Sequence, residues 1–185
     1  MNIKLTLRDF ESQILYFNGM YKLPIAPFPS AGKIGRVPDI IKRLEGFQAT
    51  VLDEIAEVDE ILTKLRIAQA EIADGKVATY TEMELLVELA DWLGDIQVYC
   101  ASEMAKFGLP LKETLKIIMS SNFSKMGADG VPVYDENGKV LKGPGYWKPE
   151  PQIRQMLEEK ITEAMNEKKD AIPTGIIWRE DRKES

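Results

Sequence analysis

Residues 40–65 read "IIKRLEGFQATVLDEIAEVDEILTKL", and this stretch decides the fold. Ile40, Ile41, Leu44, Phe47, Val51, Leu52, Ile55, Val58, Ile61, Leu62 and Leu65 recur at spacings of three and four, the period of a helix with an apolar side. From Pro38 the pattern runs for about thirty residues, with Gly46 as the place for a kink or break. Its centre, "LDEIAEVDEI" (52–61), sets five acidic residues among apolar ones. A second acidic stretch, "ELADWLGD" (88–95), repeats the pattern.

On the N-terminal side, Arg8 to Asn18 reads as a short helix with Phe10, Ile14, Leu15 and Phe17 on its apolar side. Residues 19–38 hold Pro24, Pro27, Pro29, Pro38, Gly19, Gly32 and Gly35, which make an irregular connection. On the C-terminal side, "ADGKVATY" (73–80) interrupts the helical pattern. Thr81 with Glu84 forms a capping box for a helix running to Phe107. That helix stops at Gly108, a fitting residue just past a helix end, with Pro110 beyond. Leu111 to Met126 continues as another helix. "VPVYDENGKVLKGPGYW" (131–147) places an Asn-Gly turn between short runs, predicting a small β-hairpin near 131–143. Pro151 to Lys168 is a last amphipathic helix, after which Ile176, Ile177 and Trp178 are expected to dock and the final six residues to fray.

The expected architecture is mainly α, a helical bundle around two long antiparallel helices with a small β-hairpin near 131–143. A single domain over 1–185 accommodates it, parsed as 1–38, 39–150 and 151–185.

The totals narrow the chemistry. The chain has 185 residues and a net charge of −6, from 30 acidic and 24 basic residues, which argues against a surface that coats nucleic-acid polymers or anionic membranes. No apolar run approaches the roughly 18–20 residues that span a bilayer. The opening "MNIKLTLRDF" lacks the apolar core of a signal peptide, so a cytoplasmic protein is expected. A lone cysteine, Cys100, excludes an intrachain disulfide. The absence of histidine removes histidine bases, histidine-dependent nucleophiles and histidine-ligated zinc. Catalysis would rest on carboxylates, lysine, arginine, hydroxyls or a metal held by oxygen.

The acidic pairs supply such a metal site. Glu54 with Glu57, and Glu88 with Asp91, lie three residues apart, which brings the two side chains of each pair to within about 60° on a helix. Asp95, four beyond Asp91, can join that face. On the helical wheel Leu52, Ile55, Val58 and Leu62 border the first pair, and Leu89, Leu93 and Ile96 the second. Carboxylates at a helix contact repel one another and lose solvation unless something neutralises them. A hard divalent cation does so, Mg²⁺ or alternatively Mn²⁺. One such pair alone reads as solvated surface; two on consecutive long helices beside apolar stripes favour the cation. Glu57 with Glu60 also has the spacing, and Glu54 with Glu57 is preferred because it lies closer to Leu52–Ile55.

With these residues in view, E-x-x-E (Glu54, Glu57) followed by E-x-x-D (Glu88, Asp91) resembles the all-α nucleoside triphosphate pyrophosphohydrolase superfamily, which includes the MazG-type enzymes. "ELADWLGDIQVYCASEMAKFGLP" (88–110) is similar to the second metal helix of its phosphoribosyl-ATP-pyrophosphohydrolase-like branch, and "SSNFSKM" (120–126) and "GKVLKGPGYWKPE" (138–150) to the segments that follow. The likeness covers roughly residues 40–150. It implies a Mg²⁺-dependent enzyme that splits the α–β anhydride of a (deoxy)nucleoside triphosphate, releasing a monophosphate and pyrophosphate. Glu54, Glu57, Glu88 and Asp91 become metal ligands. Asp95 becomes a further ligand or the group that orients water. Asn122 and Lys125, and Lys139 and Lys142 in the hairpin, become contacts to phosphate or sugar, against a reading as ordinary solvated side chains. Tyr146 or Trp147 could stack on a base, although packing suits both. The family assembles as dimers or tetramers, so a homodimer or homotetramer is expected.

The chain departs from the family pattern in its 30 residues between Glu57 and Glu88, its Pro-rich segment and its extension after Pro151. Phosphoribosyl-ATP is the alternative substrate. The rival from another class is a non-catalytic helical interaction protein whose acidic faces are solvated.

Overall fold

The computed structural model describes residues 9–30 and 37–170, the side chains of 37, 38 and 168–170 excepted. Gly32, Gly35, Ile176, Ile177 and Trp178 lie outside the described residues, and with them the expected docking of the tail. The protein is mainly helical, as the periodicity predicts. Its helices are α1 (Phe10–Met20), α2 (Val37–Ala73), α3 (Glu82–Lys106), α4 (Leu111–Phe123) and α5 (Glu150–Asp170). Among the described residues no helix is long and apolar enough to cross a membrane.

The described residues divide into two compact units, one within Ala31–Glu103 and the other within Met1–Ser30 and Met104–Ser185. In the first unit α2 runs for 37 residues and passes through Gly46 unbroken. A glycine costs a helix interior only about 1 kcal/mol, too little to stop so long a repeat. Three side-chain contacts fix the direction of α3 against it: Arg43 with Glu103, Glu54 with Trp92, and Lys64 with Glu88. As the first number rises the second falls, so the helices are antiparallel. The predicted capping box is present at the start of α3. Thr81 Oγ1 accepts the Glu84 N–H at 3.2 Å, and Glu84 Oε2 accepts the Thr81 N–H at 2.8 Å.

Among the described side chains of α2 the buried ones are Glu54, Ile61 and Ala68, one every seven residues. The apolar stripe read from the sequence lies partly elsewhere: Leu52 is 56% exposed and Ile55 49%, and Leu62 and Leu65 are exposed too. On α3, Leu86, Val87, Leu89 and Leu93 also face out. One partner helix covers a narrow seam, whereas these apolar stripes are wider than a seam.

In the other unit Asp9 caps α1 by accepting the Ser12 N–H at 2.9 Å, and α1 buries Ile14 and Asn18. The Pro-rich segment begins as ordered chain. Ala26 is buried and donates its N–H to the Ala105 carbonyl at 3.1 Å, and Ser30 donates to Phe107 O at 2.9 Å. Gly108, at φ +64°, closes the end of α3, where its own N–H reaches Ala105 O and that of Leu109 reaches Met104 O. Glu11 Oε1 then accepts the Leu111 N–H at 2.7 Å and caps α4, which packs on α5.

The hairpin expected near 131–143 is a single antiparallel bridge between Tyr134 and Val140. The turn itself is well made. Asp135 Oδ1 accepts the N–H groups of Asn137 and Lys139, and Gly138 takes φ +77°. The pairing extends no further because Pro132 has no N–H to give and Val131, Val133 and Leu141 are exposed, with no face to bury.

Candidate functional site

The periodicity of α2 carries Glu54 into the buried row, where it is 7% exposed. Trp92 fixes α3 at that level by donating its indole N–H to the Glu54 carbonyl oxygen at 2.6 Å. Asp95 and Tyr99 follow Trp92 by three and seven residues, so all three share the α3 face turned to Glu54. Burial pushes the Glu54 carboxyl above the usual carboxylate range, and the charges of Glu57, Asp95 and Asp53 push it further. A hydrogen bond from the Tyr99 hydroxyl opposes the rise. The Tyr99 hydroxyl is itself held high, first by burial and then by the charges of Glu54 and Asp95. Glu54 Oε2 is buried without a hydrogen-bond partner. Glu54, Glu57, Asp95 and Tyr99 thus form one electrostatic group within Ala31–Glu103.

The remaining acidic positions stand apart from this group. Glu88 Oε1 receives the Lys64 ammonium at 2.6 Å. This bond is the first cause that holds the lysine above its ordinary value. Asp91 is exposed, one turn before Asp95. Among the described residues no three acidic side chains are placed to hold a metal ion as they stand. The donor chemistry nevertheless fits a hard cation, because Glu54 offers a buried oxygen that no protein group satisfies and two carboxylates add negative charge beside it.

Sequence reasoning missed Trp92, Tyr99 and Lys64. The signal for each was a seven-residue step: Trp92 to Tyr99 on one helix, and Glu57 to Lys64 on the other. Trp92→Phe should cost about 1 kcal/mol of stability, the net worth of one hydrogen bond. Urea unfolding of the variant measures it.

The candidate phosphate contacts belong to the other unit. Lys125 donates its ammonium to Asn122 Oδ1 at 2.7 Å. The Lys142 ammonium stands 4.6 Å from the centre of the Tyr146 ring. Lys139 is exposed in the turn. Trp147 is tied through its backbone, its N–H to Ser124 Oγ at 3.2 Å and its carbonyl to Ser121 Oγ at 2.8 Å.

No protein-family model matches the sequence, and no curated protein matches it. Among solved structures the chain is similar to a protein of Exiguobacterium sp. 255-15 provisionally named an NTP pyrophosphohydrolase, at 26% identity and a TM-score of 0.41, over 86% of this chain and 98% of that one.

Proposed function

We propose that the protein is a nucleotide pyrophosphohydrolase that uses Mg²⁺ or Mn²⁺ to cleave the α–β phosphoanhydride of a (deoxy)nucleoside triphosphate into a monophosphate and pyrophosphate. The observation that carries this reading is Glu54, a buried carboxylate with an unpartnered oxygen beside Glu57 and Asp95. The resemblance of residues 40–150 supplies the substrate class. Glu54, Glu57, Glu88 and Asp91 would hold the cation, with Asp95 as a further ligand or as the group that orients water. Such a cation, when bound, offsets the charge that develops on the phosphate oxygens. In the second role the exposed Asp95 carboxylate would accept a hydrogen bond from the attacking water and orient it. Asn122, Lys125, Lys139 and Lys142 carry the donors and point charges that the resemblance associates with phosphate or sugar contacts. The outward apolar rows of α2 and α3 support assembly as a homodimer or homotetramer.

The test is pyrophosphate release from a panel of canonical and modified (d)NTPs and phosphoribosyl-ATP, with Mg²⁺ and with chelator. Release from at least one substrate, abolished by chelator, is the expected result. Silence across the panel would favour a non-catalytic interaction protein instead.

A further inference from the structure

We infer that Lys64 is an internal counter-ion of Glu88 that competes with the divalent cation for this carboxylate. The inference rests on the cation site proposed above and concerns what sets its affinity.

Lys64 follows Glu57 by seven residues, which returns it to nearly the same face of α2, about 10 Å further along the axis. Glu88 precedes Asp95 by seven residues and so belongs to the α3 face that carries Asp95. Glu54, Glu57, Asp95 and Glu88 therefore form a row of carboxylates along two antiparallel helices, with one ammonium at its end. Within the row one Glu54 oxygen has no hydrogen-bond partner. The pair of Lys64 Nζ and Glu88 Oε1 is close, at 2.6 Å, yet the two side chains are 28% and 36% exposed. Glu88 is consequently satisfied but not locked, since both partners have water beside them and rotatable stems.

An ammonium and a divalent cation seek the same carboxylate oxygens. If Glu88 turns to the cation, its bond to Lys64 is lost. If it stays, the cation loses a donor. In either case a positive charge near the site opposes a second one. Removing the lysine charge should therefore tighten cation binding, and exchanging it for another positive charge should not.

The test is Mn²⁺ binding to the full chain without nucleotide, followed by calorimetry and by the loss of the free-ion electron-spin signal. The proteins are the wild type, Lys64→Met, Lys64→Gln and Lys64→Arg, with helix content checked by circular dichroism. Lys64→Met and Lys64→Gln are expected to bind about three- to tenfold more tightly, and Lys64→Arg within about twofold of wild type. Wild-type binding with unchanged or weaker binding in Lys64→Met and Lys64→Gln would overturn the inference and leave the cation site standing. Tightening in Lys64→Arg equal to that in Lys64→Met would also overturn it, because charge would not be the cause. No Mn²⁺ binding by the wild type would remove the site itself, and the inference with it.

Discussion

Glu54→Gln is expected to lower pyrophosphate release by at least about a hundredfold, since even supporting groups of a metal site are worth 10–100-fold. The fold should survive. The amide has nearly the volume of the acid, and the backbone carbonyl that receives the Trp92 indole is untouched. Stability should move the other way from activity. The folded-state pKa of Glu54 is raised, so the folded form binds its proton more tightly than the unfolded chain. Its contribution is therefore fully present below the unfolded value, near 4.5, and is lost as pH rises through the raised folded value. Glutamine carries no charge to lose this way. Without cation at neutral pH, Glu54→Gln should melt at or above the wild-type temperature. Saturating Mg²⁺ should raise the wild-type melting temperature and leave the variant unmoved. Retained turnover in the variant, or a wild-type melt indifferent to Mg²⁺, would count against Glu54 as a ligand.

Gly108→Ala is expected to destabilise the protein by about 2–5 kcal/mol, combining left-handed strain with steric overlap. Gly108 sits at φ +64°, and a Cβ there would lie 2.3 Å from Phe28 O and 2.9 Å from Ala26 O. Both are backbone atoms, so no rotamer relieves the overlap. Nor can the segment retreat freely, because Ala26 and Ser30 are hydrogen-bonded to Ala105 and Phe107 on either side of the contact. The urea midpoint should fall well below the wild-type value. A midpoint within error of wild type would show that the segment yields without cost.

The helices were legible because their signals are local. The Thr81–Glu84 box and Gly108 bound α3 within a residue of its observed ends, and the three-four spacing runs the length of α2. The strand pairing was not, since an Asn-Gly turn specifies a reversal but not a face for the flanking residues to bury. Glu54 was read at the edge of the helix contact or inside it, and it occupies the seam, whereas Leu52 and Ile55, read as its apolar neighbours there, face outward. Periodicity gives the width of an apolar stripe but not which edge of it a partner covers. The grouping of Glu54 with Asp95 needed the relative level of two helices, which the Trp92 indole sets across 38 positions of sequence. The pairing of Glu88 with Lys64 was illegible for the same reason.

The seven-residue row of Glu54, Ile61 and Ala68 also bears on how the helices find their alignment. Were all three apolar, α2 could slide along α3 by a heptad and bury a similar seam. With a carboxylate at one step, such a slide would carry Glu54 seven residues past the Trp92 indole that now marks its level and put Ile61 there instead. The slipped arrangement would bury the carboxylate against a different set of α3 residues, as a polar residue in a coiled-coil seam penalises the wrong register. A residue that weakens the seam therefore also selects its alignment, which is set as α2 and α3 pack.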